Sequence, residues 1–229
     1  MSERPGLGAM ADGSLLARYG LPPAEIEARS LAYVEAQLAD RLPADPLLRA
    51  VVVRMIYAAG DLGLVDAIRV HPALGTTVLA ALHAGAPVVV DGQMVAAALA
   101  GAVLARLGCA VHVAVAVPGA AERARARGMT RAAAGIALLA PQWAGGLVVI
   151  GTAPTALLML LDLLAAGAPP PAAIIGTPVG FVAATEACAA LAGTGLPHAT
   201  VLGTRGGAAL AAAAFNALAA RAAAERDTR

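Results

Sequence analysis

The sequence predicts an α/β domain with three layers, α/β/α, built on a mostly parallel sheet of about six strands and preceded by two N-terminal helices. Three observations carry that reading. First, Leu147–Leu158 (LVVIGTAPTALL), Ala173–Ala183 (AIIGTPVGFVA) and Thr200–Leu210 (TVLGTRGGAAL) repeat one pattern: a β-branched apolar run, Gly-Thr, Pro or Gly, then an alanine-rich helical stretch. The Gly-Thr pairs at 151–152, 176–177 and 203–204 lie one βα unit apart. Second, earlier apolar runs alternate with helical patterns in the same way, which calls for βα crossovers and parallel strands. Third, those runs are continuously apolar rather than alternating, as strands covered on both faces are. The carboxyl edge of such a sheet is where ligands bind, and free N–H groups at helix starts favour anions there.

The first residues, MSERPGLGAMADGS, contain no apolar run and no secretory signal, so residues 1–20 read as a flexible tail and 21–229 as a single domain. Pro22 to Leu38 reads as an amphipathic helix opened by proline, with acids in its first turns and Ile26, Ala32, Tyr33 and Val34 on its apolar side. Pro46–Ala59 reads as a second helix, with Arg29, Arg54 and Tyr57 as polar groups embedded in the two apolar patterns. A strand near Leu64–Val70 follows. Then come a helix over His71–Ala84, a buried strand Pro87–Val90, a helix Gly92–Leu107, a strand Cys109–Val117, a polar surface helix Ala120–Arg127 and a helix Met129–Leu139. The three Gly-Thr units and a final helix from Gly207 to Arg226 complete the chain.

A net charge of +1 without a long basic run argues against nucleic acid as partner. Cys109 and Cys188 lack metal-ligand spacing and suit small core residues in a reducing, cytoplasmic compartment. Mean hydropathy is +0.75, and no charge occurs from Ala132 to Leu161. That stretch nevertheless contains Pro141, Gln142, Gly145, Gly146, Gly151 and Pro154, spaced as helix, turn, strand and helix, so a membrane span is not expected.

Several side chains fall on the carboxyl edge. Asp91 directly follows the PVVV strand, where it either caps a helix or faces a ligand. Thr130 and Arg131 open a helix: Thr130 suits an N-cap, and Arg131 either reaches an acidic ligand or stays solvated. Thr152 and Thr155 flank Pro154, with hydroxyls for the helix start, for a ligand, or for both. Arg205-Gly206-Gly207 joins a fork of guanidinium donors to bare backbone N–H groups, the most anion-like local feature. His71, His83, His112 and His198 have no metal-ligand spacing, so no metal is expected. No G-x-S-x-G, P-loop, C-x-x-C or G-x-G-x-x-G occurs.

Taken in order, EARSLA (27–32), VRMIYAAGD (53–61), AGAPVVVDGQMV (84–95), TRAAA (130–134), GTAPTAL (151–157), GAPPPAAIIGTPVGFV (167–182) and RGGAALAAAAFNAL (205–218) resemble the precorrin-8X methylmutases of cobalamin biosynthesis. The resemblance implies an α/β/α homodimer with a corrinoid near the subunit interface and no cofactor. It implies migration of a methyl group from C11 to C12 of precorrin-8X or cobalt-precorrin-8, giving hydrogenobyrinate or its cobalt counterpart. It assigns Tyr57 as donor or acid. It assigns Arg29, Ser30, Arg54, Asp91, Gln93, Met94, Thr130, Arg131, Thr152, Thr155, Phe181, Arg205, Gly206 and Gly207 to the substrate, with arginines on its carboxylates and Met94 and Phe181 against the ring. Four positions depart from the family pattern: Tyr57 stands where a His is usual, Thr152 where Asn is common, and Ala187-Cys188 where a polar Ser-Lys type pair follows the glutamate. A phenol, with an ordinary pKa of about 10 against about 6.5 for imidazole, donates a hydrogen bond at neutral pH but transfers a proton less readily. Two readings follow, an isomerase and a non-catalytic corrinoid-binding homologue.

Overall fold

Among the described residues six short strands form one sheet in the order β1-β6-β5-β4-β2-β3: β1 Ile68–Val70, β2 Val88–Val90, β3 Val111–Val113, β4 Leu147–Ile150, β5 Ala173–Gly176 and β6 His198–Val201. The β2–β3, β2–β4, β4–β5 and β5–β6 pairs are parallel, and only β1 runs antiparallel, against β6. The chain steps from β2 outward to β3, then returns to the other side of β2 as β4. The direction of winding therefore reverses between β2 and β4. The computed structural model describes Gly20 and residues 22–228, so nearly all of the expected tail lies outside the described residues.

Alternate strand residues point into two cores. Val88, Val90, Leu147, Val149, Ala173 and Ile175 face one layer, made of α2 (Pro46–Ala59), α3 (Leu74–His83), α4 (Gln93–Ala98), α5 (Gly101–Leu107) and the long terminal helix α11 (Ala208–Asp227). Val89, Val148, Ile150 and Ile174 face the other, made of α7 (Arg131–Leu138), α8 (Ala140–Trp143), α9 (Pro154–Ala165) and α10 (Ala184–Ala192). This is the three-layer arrangement expected from the continuous apolar runs. Trp143 is fully buried, with its indole N–H donating to the Ile136 carbonyl at 3.0 Å. Burial raises the pKa of both thiols, Cys109 and Cys188. No described helix is long and apolar enough to cross a membrane.

Four elements differ from expectation. The segment read as a strand from Leu64 starts as a 3-10 turn, Leu62–Asp66, because the Asp61 side chain accepts from Gly63 N at 2.8 Å and closes the backbone there. The helix over Gly92–Leu107 is two helices. Asn216 on α11 holds the break open, accepting from Ala100 N and donating to the Ala98 carbonyl, each at 2.9 Å. The strand Cys109–Val117 is reduced to Val111–Val113, followed by a 3-10 turn, Ala114–Ala116. Gly135 of α7 rides directly on that turn: a Cβ there would stand 2.0 Å from the Ala114 carbonyl oxygen. Finally, among the described side chains of α1 (Pro23–Leu38) only Val34 and Leu38 are buried, while Ile26, Ala32 and Tyr33 of its supposed apolar side stay exposed.

Candidate active site

Tyr57 lies in the last turn of α2, before Gly60 ends the helix in the left-handed region at φ +63°. It is half exposed and lines an open groove of about 360 Å³ together with Arg29, Ser30, Tyr33, Val34, Ile56, Asp61 and Leu62. Arg29, Ser30, Tyr33 and Val34 of α1 form one wall of this groove. A second groove, of about 400 Å³, is lined by Ala58, Asp61, Leu64, Val179, Phe181, Thr204, Arg205 and Leu210. Asp61 stands in both walls and joins the two. Its carboxylate accepts from Arg205 Nη1 at 2.5 Å as well as from Gly63 N. The sequence does not mark Asp61 or Leu62 as site residues, and it puts Tyr33 on the apolar side of α1 instead of in a groove. For Asp61 a signal existed, since an acid just past a helix-ending glycine is placed at a helix mouth.

The arginines are less available than their isolated positions suggested. Arg29 is paired with Glu25, Arg54 with Glu27 at 2.5 Å, and Arg205 with Asp61. Arg131 is exposed and forms no ion pair among the described residues. Ser30 Oγ donates to the Ile26 carbonyl at 2.7 Å within α1.

Asp91 is the main surprise. It has no exposed surface and does not cap the helix that follows it. Its carboxylate reaches across to the turn after β4, accepting from Gly151 N at 3.2 Å, Thr152 N at 2.7 Å, Ala153 N at 2.7 Å and Thr152 Oγ1 at 2.6 Å. The N–H groups expected to hold an external anion at the start of α9 hold this internal one. The Gly206-Gly207 pair is likewise spent on the fold. A Cβ at 206 would stand 2.4 Å from the Thr177 carbonyl oxygen, and Gly207, at φ +120°, donates its N–H to that same oxygen at 2.7 Å. The three Gly-Thr threonines are thus unlike: Thr152 is tied to Asp91, Thr177 is fully buried, and Thr204 is exposed.

Thr130 and Thr155 share a hydroxyl–hydroxyl hydrogen bond of 2.6 Å, and Thr130 Oγ1 accepts from Ala133 N at 3.2 Å, capping α7. Both line a shallow groove with Met129, Met159 and Asp162. Between this end of the edge and the Tyr57 end lies the loop Pro178–Ala183, in which Gly180 sits beside Pro154. There Phe181 is 92% and Val182 83% exposed, and Met94 of α4 is 70% exposed. Gln93 is exposed too, whereas Ala187 and Cys188 are fully buried and face no ligand. The nominated residues therefore fall into two clusters, Tyr57–Arg29–Ser30–Arg205 and Thr130–Arg131–Thr155, with Thr152, Met94 and Phe181 along the same edge. Arg54 stands apart, pairing with α1. Among the described residues no group of three or more His, Cys, Asp or Glu converges as metal ligands would.

Comparison with known proteins bears on this arrangement. A family model described as precorrin-8X methylmutase matches residues 25–221. A precorrin-8X methylmutase of Pseudomonas aeruginosa is 46% identical over 189 residues, covering 81% of this chain and 88% of its own. A cobalt-precorrin-8 methylmutase of Priestia megaterium is 32% identical, covering 86% of this chain and 87% of its own. The crystal structure of a precorrin-8X methylmutase from Thermus thermophilus superposes with a TM-score of 0.78 at 35% identity, over 87% of this chain and 98% of that one.

Proposed function

This chain belongs to the precorrin-8X methylmutase family, and we propose that it moves the methyl group from C11 to C12 of precorrin-8X, or of cobalt-precorrin-8, to give hydrogenobyrinate or its cobalt counterpart. It is an isomerase of cobalamin biosynthesis. The observation that carries the residue-level reading is the pair of grooves sharing Asp61, which runs from Tyr57 to Arg205 and opens on Phe181. Substrate and product are isomers: the C11–methyl bond breaks as the C12–methyl bond forms, and the ring double bonds shift to match. The protein must therefore hold the ring in the reactive geometry and supply a hydrogen-bond donor that stabilises charge as the bond shifts. Tyr57, with its hydroxyl on a half-exposed ring at the groove wall, serves as that donor. Arg29 and Arg205 bind acid arms by exchanging Glu25 and Asp61 for substrate carboxylates, and Arg131 takes an arm at the far end of the edge. Phe181 and Met94 cover the apolar face of the ring.

Each groove sits near the low end of the range of about 300–1,000 Å³ for small-molecule sites, below what a macrocycle with acid arms fills. A second copy of the chain supplies the rest. The exposed run Val179, Phe181 and Val182, with Met94 nearby along the edge, is the apolar patch such a homodimer covers. The compartment that fits the two buried thiols and the biosynthetic role is the cytoplasm.

The test is to mix purified protein with precorrin-8X and follow the visible spectrum. Conversion to the hydrogenobyrinate spectrum supports the reaction. Binding of product without conversion by folded protein would leave a corrinoid-binding homologue, with Tyr57 as the cause, and Tyr57→His would then restore turnover.

A further inference from the structure

The crevice outside the carboxyl ends of β2 and β4, where the winding reverses, is the place where open α/β sheets ordinarily receive a ligand. In this protein the floor of that crevice is closed by a resident anion. Asp91 ends β2 and satisfies the three successive amides of Gly151, Thr152 and Ala153 that end β4, and it also receives the Thr152 hydroxyl at 2.6 Å. A carboxylate only accepts, so the Thr152 proton is committed inward and the hydroxyl oxygen has only lone pairs left for a partner outside. The neighbouring position keeps this arrangement free of crowding: a Cβ at Gly92 would stand 3.1 Å from Thr152 Oγ1. Thr152 itself is half-buried, whereas the carboxylate beneath it has no exposed surface.

We propose that Asp91 is a positioning residue that acts through Thr152, fixing its hydroxyl as a hydrogen-bond acceptor toward the substrate. This rests on the corrinoid reading above and deepens it. An acceptor-only hydroxyl over a buried anion repels carboxylates, so the turn after β4 receives an uncharged hydrogen-bond donor of the macrocycle. The acid arms are directed to the arginines on either side. A neutral donor contact of this kind is the same in ground and transition state, so its loss appears in binding and KM rather than in kcat.

The experiment measures the dissociation constant for hydrogenobyrinic acid by absorption titration, with KM and kcat for precorrin-8X, on the full chain and four variants. Thr152→Val removes the acceptor but leaves Asp91 its three amides. It is expected to weaken binding and raise KM at least fivefold with kcat within twofold, while Thr152→Ser stays within twofold on all three. Asp91→Asn is expected to match Thr152→Val or exceed it. The double variant is expected to be no weaker than Asp91→Asn alone, because one residue works through the other. Effects that multiply in the double variant overturn the proposal, as does a folded Thr152→Val that binds within twofold of wild type. Should Asp91→Asn fail to fold, the Thr152→Val and Thr152→Ser pair decides by the same thresholds. Wild-type protein that binds the corrin without converting it overturns the proposed reaction alone, and the dissociation constants still decide the role of Asp91. Wild-type protein that binds no corrin overturns both.

Discussion

Asp61 and Asp91 both sit at the carboxyl edge of the sheet and both organise a turn, but in opposite settings. Asp91 has no exposed surface and takes four hydrogen bonds from one turn. The Asp61 side chain is 45% exposed and holds one amide and the Arg205 guanidinium, itself 48% exposed. A buried carboxylate surrounded by donors cannot be released without leaving several amides unpaired, so it sets geometry and takes no part in exchange. An exposed pair is worth little in stability, so either member can change partners when a substrate carboxylate arrives. One end of the edge is therefore rigid and the other adjustable.

The sharpest way to break this contrast is to truncate both acids. Asp91→Ala strands three amides and a hydroxyl in a buried site and is expected to cost about 3–4 kcal/mol in urea unfolding. Asp61→Ala is expected to cost less than about 1 kcal/mol. Equal costs would show that burial at position 91 does not decide the matter. Next in size is Tyr57→Phe, which keeps the ring in the groove and removes the donor. The expected loss is about 100-fold in kcat with KM nearly unchanged, checked by steady-state conversion of precorrin-8X. A KM effect without a kcat effect would move Tyr57 from the reacting centre to simple binding.

What the sequence made legible, and what it did not, follows the same division between local and distant. The strands Leu147–Ile150 and Ala173–Gly176, and the part of His198–Val201 from Thr200 on, could be read because a β-branched run and the Gly-Thr turn after it are local chemistry, whereas His198 reads as loop and in fact begins the strand. The partners that define the site are distant. Asp91 lies 60 to 62 residues before the atoms it holds, Asp61 is 144 residues from Arg205, and Asn216 reaches back 116 and 118 residues to the broken helix. Nothing in a local pattern tells an N-cap from an acid that serves another strand's turn, and at Asp91 both expectations, its own cap and a ligand contact, gave way to a third role. The error at α1 has a related cause. Ile26, Ala32 and Tyr33 carry an apolar helical period, yet Tyr33 lines a groove and the other two stay exposed, and periodicity is the same for a groove as for a core.

The adjustable end gives the third prediction. If Arg205 exchanges Asp61 for a substrate carboxylate, Arg205→Ala is expected to raise KM about tenfold, equivalent to about 1.4 kcal/mol. Added salt should weaken wild-type binding more than binding by Arg205→Ala, because exposed charges are screened. A variant with unchanged KM and unchanged salt response would place the acid arms elsewhere.

The smallest expected effect lies at the opposite edge of the sheet and measures how far rigidity extends beyond Asp91. His198 begins β6, is 4% exposed, and donates from Nδ1 to the Leu196 carbonyl at 2.9 Å, with the His71 ring centroid 5.8 Å away. Burial first, and His71 after it, push its pKa below the ordinary 6.5, although the Leu196 carbonyl opposes the shift. The unfolded chain therefore takes up a proton near pH 6.5 that the folded ring still refuses, and stability falls as the pH drops below that value toward the folded pKa. Above pH 6.5 this contribution is fully present. His198→Asn keeps a donor near Nδ1 and cannot titrate, so its urea midpoint should change less than that of wild type between pH 7 and 5.5, a window above most carboxylate titration. Identical slopes for the two proteins would mean that water reaches the ring, and that this edge of the sheet opens more readily than the one Asp91 holds shut.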